Sequence, residues 1–302
     1  MSTETKTNAS LPQYFKEELD FTVTLTFSLA VPCLLFIVLY HKSSKTDEKH
    51  SHYPIHTNLV VLGTVHISVI LVSSSIILIS ESFQNFIHKL PFFIGMHSIT
   101  ICIIKNFPLI TITIFYHLLF LSSIQRIFLM FNAKLGTRTM TGRRLNLYII
   151  MIYPLAIISA INKIMAVDKM PYLEIGVQSV TVIILIFNLF SVGHIERQPF
   201  FVVHKTALAQ TAPLIFTLMT LTILNIYFLT TNNVNICNFQ SFMAIVMSLA
   251  TPLFLITGSS AKRRVVVNIL TCRGHNNVVR VSYSAEHTPV TGSNVVSMVP
   301  RY

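Results

Sequence analysis

The sequence predicts an all-α polytopic membrane protein, a bundle of seven transmembrane helices, and three observations carry that prediction. Only 11% of the 302 residues are charged while 52% are hydrophobic, and mean hydropathy is +0.65; a soluble domain carries about 25% charged residues. The apolar residues fall in blocks of roughly 20, the length that crosses a hydrocarbon core of about 30 Å. All 11 Asp and Glu residues lie outside those blocks. Backbone groups inside lipid must be bonded within the protein, which leaves helices or a closed barrel. The alternating segments of about ten residues that a barrel needs are absent.

Residues 1–20 form a polar leading segment with Glu4, Glu17, Glu18 and Asp20. It holds the only N-x-S/T sequon of the chain, Asn8-Ala9-Ser10, a candidate glycosylation site if this end is extracellular. No small-residue cleavage site follows the first apolar block, so that block is expected to be a retained helix. The seven predicted spans cover residues 21–40, 57–80, 102–127, 145–166, 176–194, 206–230 and 239–258. They make a helical domain over 21–260, followed by a tail over 261–302. In that tail Ala261-Lys262-Arg263-Arg264 precedes Val265-Val266-Val267-Asn268-Ile269-Leu270, a basic-then-apolar pattern suited to a short amphipathic helix along an anionic leaflet. Cys272 could carry a palmitoyl group there, with a free thiol as the plainer reading.

Charge sets the orientation. With the N-terminus outside, 16 of the 22 Lys and Arg residues face the cytoplasm. These are Lys42, Lys45, Lys49, Arg126, Lys134, Arg138, Arg143, Arg144, Arg197, Lys205, Lys262, Arg263, Arg264, Arg273, Arg280 and Arg301. Lys6, Lys16, Lys89, Lys105, Lys163 and Lys169 fall outside or at the outer edges of spans. That is the bias of a positive-inside topology. The same placement explains the net charge of +11 and the pI near 9.6 without nucleic acid.

The missing groups exclude several chemistries. With no carboxylate at membrane depth, a proton-coupled transporter, a cation channel or an intramembrane hydrolase lacks its usual working group. Nucleotide-binding, zinc-protease and serine-hydrolase motifs are absent, and the four cysteines show no C-x-x-C spacing, so no enzyme, cofactor or metal is expected. No internal repeat suggests a duplicated transporter. His66 and His117 remain as intramembrane ionisable groups, each about 13 Å deep at 1.5 Å per residue and able to face one another. Two neutral imidazoles bonded to nearby hydroxyls or carbonyls is the plainer expectation. Prolines at 32, 108, 154, 213 and 252 bend their spans, as hinges or as tolerated kinks.

Seven spans, Ser123-Ile124-Gln125-Arg126 closing the third, and Lys205-Thr206-Ala207-Leu208-Ala209-Gln210-Thr211-Ala212-Pro213 opening the sixth give the chain its character. With Thr251-Pro252 before the basic segment, they resemble the serpentine chemoreceptors of nematodes. These are a branch of the G-protein-coupled receptors, and the class resembled is xa or a neighbour. The resemblance implies a chemosensory receptor of the plasma membrane, the sensory cilium included. Arg126 would take the part of the arginine in the Asp-Arg-Tyr motif of rhodopsin-like receptors, with Gln125 replacing the acid, and Pro252 would match the proline of their seventh helix. There are departures. Cys102 could mark the top of the third span, but the loop at 167–174 has no cysteine, so the usual disulfide cannot form. The chain has no Trp, and Pro213 lies near the start of its span.

On this reading a small external ligand, odorant- or pheromone-like, shifts a bundle equilibrium that a heterotrimeric G protein reads. Candidate ligand contacts are Asn106, Thr111, Gln178, Thr181, Asn225, Tyr227 and Gln240, with His117 deeper in the third span. Candidate switch or G-protein-facing residues are Gln125, Arg126, Arg138, Arg143, Arg144, Lys205, Pro252 and Lys262. Beside these stand plainer readings: polar residues on membrane helices commonly satisfy their neighbours, and topology alone places cations at one face. The alternative function is a small-molecule transporter or channel, which a pore lined by polar residues on facing helices would favour. An enzyme would need His66 and His117 to converge on a nucleophile or metal.

Overall fold

A computed structural model of the chain describes residues 13–44, 51–82, 91–131, 133–165, 201–231 and 236–271, together with Ser179, Ile183 and Ile186. Among the described residues every regular element is helical: α1 (Gln13–Ser43), α2 (Tyr53–Ser82), α3 (Pro91–Phe131), α4 (Ala133–Thr139), α5 (Gly142–Met165), α6 (Phe201–Thr231), α7 (Ile236–Thr257) and α8 (Ser260–Leu270). Five of them are long and apolar enough to cross a membrane, through Val23–Ser43, Tyr53–Ile79, Gly95–Leu129, Gly142–Ile161 and Phe239–Thr257. The helix α6 contributes a shorter apolar stretch, Ala209–Leu224. The described residues are therefore helical, and the length and composition of these helices are those of a membrane-embedded protein. Of the predicted span 176–194, only Ser179, Ile183 and Ile186 are described, all helical.

Helices outrun the apolar blocks that predict them. The third block begins at residue 102, yet α3 begins at Pro91, and its apolar window alone is 35 residues, about 52 Å at 1.5 Å per residue. Hydropathy falls at His97 and Lys105, but nothing there breaks the backbone ladder, and Pro91 suits a helix start because its missing N–H has no partner in the first turn. Lys105 thus sits on a continuing helix, exposed.

The packing suits a nonpolar solvent. Large apolar side chains point outward, Val31 being 73% and Ile150 61% exposed, while hydroxyls turn inward and bond the preceding turn of their own helix. Thr113 donates to the Leu109 carbonyl at 2.8 Å, Ser248 to Ala244 at 2.7 Å and Thr251 to Met247 at 2.7 Å. Such internal pairing lets a polar side chain sit in a core without a partner helix. The helix α7 packs against α1, α2, α3 and α6. Two glycines set how closely it does so: a Cβ on Gly63 would lie 3.2 Å from the Ser248 backbone, and one on Gly258 would lie 2.6 Å from that of Ala209. Gly258 also interrupts the helix between α7 and α8.

The chain divides into two units, Met1–Val266 and Val267–Tyr302. In the second, residues 267–271 are described, with the Thr271 hydroxyl donating to the Val267 carbonyl at 2.8 Å. Among the described residues Cys33 and Cys102 are free thiols. Asn8 and Cys272 lie outside the described residues.

Candidate functional site

The C-terminal end of α3 holds two adjacent polar side chains, both buried and on different sides of the helix, because consecutive residues turn by about 100°. Gln125 is completely committed. Its Oε1 accepts from His52 Nδ1 at 3.0 Å, and its Nε2 donates to the carbonyls of Ser51 at 3.0 Å and Met140 at 2.8 Å. Carbonyls only accept, so these two bonds fix which end of the amide is nitrogen, and the hydrogen of the third bond must reside on His52 Nδ1. One side chain thereby joins the segment leading into α2, the end of α3 and the turn between α4 and α5. The ring of His56 stacks on His52 with centroids 6.2 Å apart, and the backbone N–H groups of Ile55 and His56 both donate to the His52 carbonyl.

Arg126 is only 2% exposed. Its Nη2 donates to Ser122 Oγ one turn back at 3.3 Å and to Thr211 Oγ1 on α6. Nε and Nη1 have no hydrogen-bond partner among the described residues, and no carboxylate meets the guanidinium there. A cation removed from water and held by two hydroxyls is far from fully compensated.

Lys262 departs from the sequence reading. It was expected on an open basic face, but it is 0% exposed, with Nζ 4.4 Å from the Tyr40 ring centroid on α1. The helix break at Gly258 and the start of α8 at Ser260 turn it inward. Ser259 caps that start, its Oγ facing the Lys262 backbone N–H at 3.4 Å, and the third residue after a cap points back over the junction. The apolar stem is buried and the charge rests on an aromatic face. Arg138, Arg143 and Arg144 are exposed as expected, with Arg144 Nη1 donating to the Arg138 carbonyl at 3.3 Å. Arg263 and Arg264 extend the exposed basic set. The Lys205 side chain lies outside the described residues.

Pro252 is buried on α7. Having no N–H, it cannot bond the Ser248 carbonyl one turn back, and this is the residue against which Gly63 packs. Ser248 Oγ donates to Ala244 at 2.7 Å, so it receives the hydrogen of His66 Nδ1, 3.1 Å away. His66 stacks on Phe107 with centroids 5.9 Å apart. Phe107 precedes His117 by ten residues, about 15 Å along a helix, so the two histidines stand at different levels and do not face each other. His117 Nδ1 instead donates to its own-helix Thr113 carbonyl at 2.7 Å. No group of three or more His, Cys, Asp or Glu residues could hold a metal among the described residues.

The other proposed ligand contacts are not brought together. Asn106 is bonded within its helix, Nδ2 donating to the Cys102 carbonyl at 2.9 Å. Thr111 is buried, its Oγ1 without a hydrogen-bond partner among the described residues, Gln240 is half-buried, and Tyr227 is 60% exposed. Gln178, Thr181 and the Asn225 side chain lie outside the described residues. A cavity of about 290 Å³ opens between α3 and α5, and His117 alone of the candidates lines it. Sequence reasoning missed His52 as the partner of Gln125; three histidines within residues 50–56 were visible, but not that one would meet α3. No protein-family model, curated protein or solved structure matches the chain significantly.

Proposed function

We propose that the chain is a seven-helix receptor of the plasma membrane, N-terminus outside, that binds a small ligand and signals to a heterotrimeric G protein, as its resemblance to the nematode serpentine chemoreceptors implies. The observation that carries this reading is Arg126. A guanidinium at the end of a membrane helix, buried with two nitrogens uncommitted and held, among the described residues, by Ser122 and Thr211 alone, suits a switch residue in search of an acceptor. Two packings of α3 against α6, one sheltering the cation and one presenting it, would differ in how well that demand is met. The distribution of Lys and Arg supports the orientation, and the apolar block at 176–194 supplies the remaining span.

Heterologous expression with a panel of volatile and water-soluble odorants and a second-messenger readout tests the reading, with surface level measured for each variant. The parent should respond, and Arg126→Ala should reach the surface and fail to respond. An unchanged response removes Arg126 from the switch. Conductance in a reconstituted bilayer without G protein would instead favour the transporter or channel.

A further inference from the structure

The cavity between α3 and α5 is walled by Phe120 and Leu121 on one side and Tyr148, Met151 and Leu155 on the other, with His117 among them. Its volume, about 290 Å³, is at the small end of the range in which ligands are bound, about 300–1,000 Å³. Tyr148, Met151 and Leu155 are 42%, 61% and 57% exposed, so the cavity opens sideways through the bundle wall. In a membrane that mouth faces acyl chains.

Two lining side chains carry polar atoms, the His117 imidazole and the exposed Tyr148 phenol, and the imidazole distinguishes this cavity from an ordinary lipid-filled groove. The Thr113 carbonyl accepts from His117 Nδ1, which places a ring hydrogen on that nitrogen, so that in the tautomer with a single ring hydrogen Nε2 is a lone-pair acceptor. His117 makes no other hydrogen bond among the described residues. Acyl chains have no donor to offer, and a polar atom facing hydrocarbon unpaired is costly. The complement is an apolar molecule with one O–H.

We propose that this cavity is a laterally entered site for a small lipophilic alcohol dissolved in the bilayer, its hydroxyl donating to His117 Nε2 and its hydrocarbon body lying between Phe120 and Leu155. As a statement about signalling it rests on the receptor reading; as a statement about binding it does not. It differs from a ligand approaching from water through the end of the bundle, because the entrance lies in the wall.

The test uses the 302-residue chain in lipid nanodiscs and three diazirine probes built on one short alkyl skeleton: a primary alcohol, its methyl ether and the parent alkane. Covalent labelling is mapped by mass spectrometry. The alcohol should label the segments around 117–124 and 148–155 about tenfold more than the ether, the ratio given by one hydrogen bond of about 1.4 kcal/mol. His117→Phe should remove that preference. Met151→Phe, a change on an exposed apolar position that fills the mouth, should reduce labelling by the alcohol while the thermal transition stays in place. Equal labelling by the three probes would mean that lipid chains alone occupy the groove and would overturn the proposal. So would an alcohol preference that survives His117→Phe. Preferential labelling with no second-messenger response in any condition would count against the receptor reading and leave the site standing.

Discussion

Gln125 and Arg126 are neighbours in sequence and equally buried, yet the two sides of α3 they serve are organised in opposite ways. On the Gln125 side every polar atom of the amide has a named partner on another segment. On the Arg126 side a larger, charged group has, among the described residues, two hydroxyls, one from its own helix. The first arrangement fixes the segment before α2 and the α4–α5 turn to α3. The second leaves an electrostatic demand unmet. The contrast separates a group that holds a fold together from one whose presence the fold tolerates, and stability measurements should separate the two in sign.

The largest effect is expected at the clamp. Gln125→Leu keeps the volume roughly but leaves the Ser51 and Met140 carbonyls and His52 Nδ1 without their partner. At about 1 kcal/mol for each lost bond, the loss is about 3 kcal/mol, read as a lowered thermal transition in detergent. A smaller loss in which Arg126→Met costs just as much would dissolve the contrast. For Arg126→Met the expected change is zero or a gain of about 1–4 kcal/mol, since replacing an uncompensated buried charge with an apolar side chain of similar length is often stabilising. If the chain is a receptor, the same variant should abolish its response. A stability loss of several kcal/mol would show instead that Arg126 is structural.

Lys262 falls between these cases. It is buried like Arg126, but its cation lies over the Tyr40 ring, so it resembles the Gln125 side in having a partner on another helix. Lys262→Met keeps the stem and removes the charge, with an expected loss of about 1 kcal/mol by thermal denaturation, within the range for such contacts. Tyr40→Leu tests the same contact from α1. If Lys262→Met stabilises, Lys262 belongs with Arg126.

Much of the architecture was legible because membrane solvation writes itself into composition. Blocks of about 20 apolar residues mark the helices now seen as α1, α2, α3, α5 and α7, and the absence of carboxylates within those blocks, though not within the longer helices, follows from the cost of burying charge. The helix ends were less legible: α3 runs eleven residues ahead of its apolar block, because hydropathy reports solvent while the backbone ladder continues through polar positions. The site was legible only by residue. Gln125 and Arg126 stood out together in the sequence, but their separation onto two sides of the helix depends on rotation about α3 and on Ser51, His52, Met140 and Thr211, which come from other segments. Lys262 read as one more surface cation because a run of Ala-Lys-Arg-Arg does not reveal which member the capping serine turns inward.

The smallest effect on stability should come from the exposed cations, and there the comparison turns from folding to recognition. Arg143 and Arg144 lie on the surface at the start of α5, and among the described residues their side chains make one hydrogen bond, Arg144 to the Arg138 carbonyl. Replacing both with Gln should change stability by no more than about 0.5 kcal/mol. If the N-terminus is outside, the count of cytoplasmic basic residues falls only from 16 to 14, so the orientation should hold, as glycosylation at Asn8 in the parent and its loss in Asn8→Gln would report. If a G protein reads this face, coupling should weaken and its dependence on ionic strength should flatten, because exposed charges act chiefly on encounter and are screened by salt. Coupling unchanged in both respects would leave these arginines with topology as their whole role and return the burden of the switch to Arg126.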